Sequence, residues 1–206
     1  MGSVGGCSRG WGSFVIGRDQ GGGRAESSLP GLAGLAREPR PAGAPRDIIE
    51  TMPGQELMSL AEVREVLERS RTVAVLGAHV ERERAAFYVP DYLHAQGYRI
   101  IPVNPRFAGR QAMRELWEEP FRSSLAEVEE EVDLVDVFRA SGALFGHLDD
   151  LLAMRPAPGV VWFQLGIRND AVARELMAAG IDVVQDRCTL ADHRDLGLGA
   201  PRSSPR

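Results

Sequence analysis

Hydrophobic residues follow no period up to about residue 55 of this chain, and a regular one after it. The first patterned segment is helical. Leu60, Val63, Val66 and Leu67 recur at helical spacing behind a Ser59-x-x-Glu62 capping box. Thr72-Val73-Ala74-Val75-Leu76 then reads as a buried strand that stops on Gly77. A helix is predicted over about 85–96, with Gly97 just past its end. The second strand, 98–103, is cut off by Asn104-Pro105, and a capped turn at Ser124-x-x-Glu127 leads to a third strand over 133–138. A helix over about 142–154 ends at Pro156-Ala157-Pro158-Gly159. The fourth strand covers 160–164. Asn169 caps a helix that stops at Gly180, and the fifth strand covers 181–184. Strands that are apolar almost throughout and alternate with helices predict a parallel sheet covered on both faces. The expected fold is a single α/β domain with a doubly wound, five-stranded sheet.

Composition sharpens the boundaries. Residues 1–54 hold 13 of the 23 glycines and five of the 13 prolines, too little apolar surface to offset the entropy of ordering them. Residues 1–55 are expected to be a disordered or non-native extension, with Met52 and Met58 as alternative starts. The domain is expected over 56–197 and a flexible tail over 198–206. All 24 basic side chains are arginine, which reads as codon usage in a GC-rich genome. With no lysine, Schiff-base chemistry, a GK[ST] phosphate loop and a kinase-type Ala-x-Lys are excluded. A phosphate would be held by backbone N–H groups, helix ends or arginines. The net charge of −5 points away from nucleic acid. Cys7 and Cys188 form no disulfide framework and no metal spacing. With no run of 18 apolar residues and no secretory h-region, a soluble cytoplasmic protein without membrane contact is expected.

Ligands of such sheets bind outside the carboxyl ends of the strands. The segments there are Gly77-Ala78-His79, Asn104-Pro105-Arg106, Arg139-Ala140-Ser141, Gln164 to Arg168, and Asp186-Arg187-Cys188. Arginines concentrate in them, as a pocket for an anionic ligand requires. Of the G-x-G-x-x-G dinucleotide fingerprint only Gly77 is present. An NAD site places Asp or Glu at the end of the second strand. Val103-Asn104-Pro105-Arg106 stands there instead, which disfavours NAD and leaves NADP and coenzyme A. A bulky residue at Gly77 is expected to block phosphate approach without unfolding the sheet. His79 is read as lining its loop while its backbone serves the ligand. Cys188 is read as a small core residue, Trp162 as core, and Glu129-Glu130-Glu131 as a solvated face. The His147, Asp149 and Asp150 group is read as a helix exterior. Asp133 and Asp136 point to opposite sheet faces, and Asp136 is expected to accept from neighbouring loop N–H groups. Cys188 and His193 lie five apart without further ligands, so no metal is expected.

Five blocks in register carry a resemblance. Val75-Leu76-Gly77-Ala78-His79, Tyr98 to Pro105, Val135 to Arg139, Trp162 to Asn169 and Asp186-Arg187-Cys188 together resemble the small stand-alone CoA-binding domain proteins. These are related to the N-terminal domain of the succinyl-CoA synthetase α subunit. The resemblance covers about residues 58–196 and implies a Rossmann-like domain that binds coenzyme A or an acyl-CoA. It implies that Gly77, Ala78 and His79 face the pyrophosphate, with Arg84 as a phosphate partner near the first helix start. Val103, Asn104, Pro105 and Arg106 would line the adenosine side, Phe138 and Arg139 would close the pocket edge, and Gln164, Gly166 and Ile167 would flank the pantetheine path. The chain departs from the family at Arg84-Ala85, where an Arg-Pro pair is common, and at Asp192-His193, where a Glu-His pair is. A non-catalytic or regulatory CoA-binding module is expected. The alternative is an NADP-binding oxidoreductase, which lacks the glycine fingerprint and a substrate domain. An acyl-CoA ligase fragment would need a second domain and an ATP-grasp partner. A homo-oligomer and an unidentified protein partner both stay open.

Overall fold

In the computed structural model the described residues are 52–109 and 116–201. The expectations for residues 1–51, including Cys7, and for 202–206 lie outside them. Five helices, α1 (Leu60–Arg69), α2 (Ala85–Ala95), α3 (Phe145–Ala153), α4 (Asp170–Ala178) and α5 (Thr189–Asp195), surround strands β1 (Thr72–Leu76), β2 (Arg99–Val103), β3 (Leu134–Val137), β4 (Val160–Phe163) and β5 (Asp182–Val184). The strands form one parallel sheet in the order β2-β1-β3-β4-β5. This is the five-stranded, doubly wound α/β sheet of a Rossmann-like fold. The order reverses between β1 and β3, which puts the switch point there.

The strands alternate their side chains between two apolar layers, as the pleat requires. Ala74, Leu76, Val135, Val137, Val161 and Phe163 face the layer closed by α3 and α4. Val73, Val75, Leu134, Val160 and Trp162 face the layer closed by α1 and α2. Both faces of the sheet are covered, which is why the strands read as near-continuous apolar runs.

Local signals mostly act as written. Ser59 Oγ accepts from the Glu62 N–H at 3.2 Å, and Glu62 Oε2 accepts from the Ser59 N–H at 2.8 Å, closing the capping box of α1. The Ser59 hydroxyl, which also donates to Glu62 Oε2, and then the Ser59 N–H hold the Glu62 carboxyl below its usual range. Asn169 Oδ1 caps α4 by accepting from the Val172 N–H. The turn before β3 differs: Ser123, not Ser124, bonds Glu127 through both its N–H and its hydroxyl. Glu130 is not simply solvated, since it pairs with Arg99 at 3.1 Å and Arg122 at 3.2 Å along the β2 edge. Contacts of the domain also extend past the expected boundaries. The Gly54 N–H donates to the Met177 carbonyl, the Val183 N–H donates to the Gln55 carbonyl where Glu56 and Val183 form a short parallel bridge, and Leu198 packs on the α1/α2 layer.

Helix α5 has no counterpart in the sequence-based elements. Its inward residues, Thr189 and His193, are fully buried but polar, so hydrophobic periodicity is silent there. Among the described residues no helix is long and apolar enough to cross a membrane.

Candidate functional site

A cavity of about 830 Å³ opens across the carboxyl ends of the strands. Its wall follows the strand order. Asn104, Pro105 and Arg106 come from the end of β2, Gly77 and His79 from β1, Phe138, Arg139 and Ala140 from β3, Gln164, Leu165 and Ile167 from β4, and Cys188 from the loop after β5. The first turns of α2 add Arg84, Ala85, Ala86, Tyr88 and Val89. Ala78 and Val103, expected at the ligand, are fully buried in the core layers and supply no side chain to the cavity. Gly166 also lies outside the lining, on a loop whose N–H donates to Asp186 Oδ1. Ala140 and Leu165 stand in strand-end segments that the sequence singles out, though not among its site residues; Ala86, Tyr88 and Val89, in the first turns of α2, were not anticipated.

The β1 loop is held tightly. Gly77 adopts φ +98°, and a Cβ there would sit 2.7 Å from the Phe138 carbonyl oxygen. The clash is with backbone and the dihedral is strained for any L side chain, so a larger residue there would cost stability as well as obstruct a phosphate. The N–H groups of Gly77, Ala78 and His79 donate to the carbonyls of Val103, Val75 and Ala86. These amides are thus spent inside the protein. Pro90 explains the last bond. Lacking an N–H, it leaves the carbonyl four residues back, Ala86, without a helical donor, and the His79 N–H takes it at 3.0 Å. His79 therefore offers the cavity its imidazole rather than its amide, the reverse of the expectation. The ring is 8% exposed, stands edge-on to Phe107, and accepts from the Glu81 N–H at Nδ1, so neutral His79 carries its proton on Nε2. Burial, followed by Arg84 and Arg106, lowers its pKa. The first amides of α2, at Ala85 and Ala86, precede the helical bonding pattern and remain as donors at this wall.

Asn104 is a brace. It is 6% exposed, donates from Nδ2 to the Ala78 carbonyl and accepts from the Arg106 N–H, tying the ends of β1 and β2 together. Beneath Gln164 lies a buried polar triad. Gln164 Nε2 donates to Asp136 Oδ1 at 2.8 Å and to Thr189 Oγ1 at 2.7 Å, and Thr189 Oγ1 donates to Asp136 Oδ2. Asp136 thus takes side-chain donors, besides the Val137 N–H, rather than a set of loop amides. Burial pushes its carboxyl up to about 7, against the opposing pull of these donors.

The arginines at the strand ends are not equivalent. Arg168 pairs with Glu56 and Asp170, and Arg187 forms a bidentate pair with Asp192. Arg84 pairs with Glu81 at 2.6 Å on the surface. Arg106 and Arg139 line the cavity with no carboxylate partner among the described residues; Arg106 stacks over Phe107, and Arg139 Nε is buried with no acceptor. No Asp or Glu among the described residues lines the cavity. Cys188 lines it as well and is only partly buried, not a core residue, because it is the extended residue that turns the chain into α5. Among the described residues no group of three His, Cys, Asp or Glu side chains is placed to hold a metal ion.

Fold and cleft define a doubly wound α/β domain whose switch-point cavity presents arginines and no carboxylates. The chain belongs to the CoA binding domain family, whose model matches residues 71–194. It is 34% identical over 135 residues to the uncharacterized protein YneT of Bacillus subtilis (strain 168), covering 66% of this chain and 94% of that one. Among solved structures, cell-free ID.343 from Thermus thermophilus is 48% identical with a TM-score of 0.62, covering 68% of this chain and 99% of that chain. A hypothetical protein from Pyrococcus horikoshii OT3 is 27% identical with a TM-score of 0.60, covering 68% and 92%.

Proposed function

We propose that this protein binds coenzyme A, free or acylated, along the carboxyl edge of its sheet as a non-catalytic or regulatory module. The observation that carries the reading is the pair Arg106 and Arg139, two cavity arginines without a carboxylate partner among the described residues, one with its Nε buried and unmet. A guanidinium N–H buried without an acceptor is costly, and an anionic ligand oxygen relieves that cost. The cavity suits the ligand in kind. Its volume lies in the range of roughly 300–1,000 Å³ typical of small-molecule sites, and its charged donors stand at the β2, β1 and β3 ends while the β4 and β5 ends offer mixed apolar and amide surface. Arg106, where an NAD site would carry a carboxylate, would meet the ribose 3′-phosphate. Arg84, His79 Nε2 and the Ala85 and Ala86 amides would meet the pyrophosphate. Gln164 and Ile167 would flank the pantetheine arm.

A binding role fits the lining better than a catalytic one. Its imidazole has one nitrogen occupied by the Glu81 amide, and the perturbed carboxyl of Asp136 is sealed below Gln164. Calorimetric titration with CoA, NAD and NADP tests the reading. CoA is expected to bind at least roughly tenfold more tightly than either dinucleotide. NAD binding as tightly as CoA would overturn it.

A further inference from the structure

Cys188 lines the β4 side of the cavity, with the ends of β1 and β3 between it and Arg106. The chain after β5 turns back over β4, where the Arg187 N–H donates to the Phe163 carbonyl and Thr189 Oγ1 accepts from Gln164 Nε2, so three inter-strand steps of about 4.8 Å, roughly 14 Å in all, separate Cys188 from the β2 end. Coenzyme A is a long molecule with a phosphorylated nucleotide at one end and a thiol at the other. Laid with its 3′-phosphate at Arg106, it directs its sulfur toward the β4 and β5 ends.

A second feature beside Cys188 points to the same arm. Gln164 is only 4% exposed, yet it lines the cavity. Its Nε2 is taken by Asp136 and by Thr189, the residue after Cys188. Two acceptors on Nε2 fix the amide's orientation and leave Oε1 without a donor among the described residues. An acceptor without a donor on the wall of a cavity calls for a ligand N–H, and the pantetheine arm carries two amides. Arg187, next to Cys188 on its other side, is engaged with Asp192, and the Cys188 thiol is free and only partly buried.

Resting on the CoA reading above, we propose that Cys188 is a thiol–disulfide exchange site that captures the disulfide form of coenzyme A. The Cys188 thiol gives its proton to solvent, and its Sγ attacks one sulfur of the CoA disulfide. An Sγ–S bond forms, the original S–S bond breaks, and one CoA leaves as a thiolate that takes up a proton. Nothing is oxidised or reduced overall, since one disulfide replaces another. The product is the protein with CoA held covalently in its own site, and a second thiol reverses the step. The module would therefore register the redox state of the CoA pool and not only its concentration.

Intact-mass measurement on the reduced full-length chain, incubated with CoA disulfide or with glutathione disulfide, tests this. The expected result is a single adduct of one CoA less two hydrogens, mapped to the peptide containing Cys188 and removed by dithiothreitol. Proximity in the bound complex should make it form roughly tenfold or more faster than the glutathione adduct. The adduct should persist in Cys7→Ser and be lost in Cys188→Ser. Equal rates with the two disulfides, or an adduct confined to Cys7, overturn the proposal. Calorimetry with reduced CoA separates the two readings. Tight CoA binding without an adduct removes the exchange site and keeps the binding function, whereas absence of CoA binding removes the function itself.

Discussion

At Gly77 the absence of a Cβ is what lets the end of β1 lie against the carbonyl of Phe138 at the end of β3. The sequence marks this glycine as a turn but not as a contact, because the partner arrives from a strand more than fifty residues later. A Gly77→Val substitution is therefore expected to destabilise the protein by on the order of 2 kcal/mol, from positive φ and the backbone clash together. Urea denaturation of the variant and the wild type measures this; unchanged stability would show that the loop relaxes freely. The arginines illustrate the same boundary of legibility. Their concentration at strand ends is readable from residue order alone. That Arg168 and Arg187 are neutralised while Arg106 and Arg139 are not depends on Glu56 and Asp192, and only folding places those carboxylates.

Among the elements, α2 and α5 show how polar and interrupting residues carry design that periodicity misses. Pro90 sits inside α2 and frees the Ala86 carbonyl, which then anchors the β1 loop through His79. The proline is plain in the sequence, and the freed carbonyl four residues earlier is its direct consequence; what cannot be read is which donor comes to it. Helix α5 presents Thr189 and His193 inward, so it forms no apolar stripe. Thr189 joins Asp136 and Gln164 beneath the cavity floor. Asp136 occupies a strand position in register with Val75 and Trp162, where an apolar residue is the rule. Its folded pKa of about 7 stands above the usual 3.8, so between these values the folded state binds more protons than the unfolded one. Stability should consequently fall as pH rises from about 4 to about 7, by on the order of 4 kcal/mol, and then level. Asp136→Asn keeps an acceptor for Gln164 and has no charge to bury. It is expected to raise Tm at pH 8 relative to the wild type and to flatten this limb of the pH profile. A variant whose Tm falls with pH as steeply as the wild type would assign the slope to another group.

For the whole molecule, the architecture was the most legible level. Five apolar runs separated by helical stretches determine a parallel sheet, because only a sheet covered on both faces makes every strand residue apolar. What the runs do not reveal is strand order, and the order β2-β1-β3-β4-β5 is what turns five separate strand ends into one cavity. The molecule also carries a net charge of −5 while its cavity displays arginines and no carboxylates among the described residues. That contrast localises attraction for an anion to one edge of the sheet. The most direct test is a cycle of four calorimetric titrations, CoA and dephospho-CoA into the wild type and Arg106→Ala. A charge-assisted contact to the 3′-phosphate predicts that the wild type prefers CoA by roughly tenfold or more, and that Arg106→Ala loses this preference while still binding both ligands. Equal affinity of the wild type for the two ligands, or a preference undiminished in Arg106→Ala, would contradict the placement of CoA along this edge.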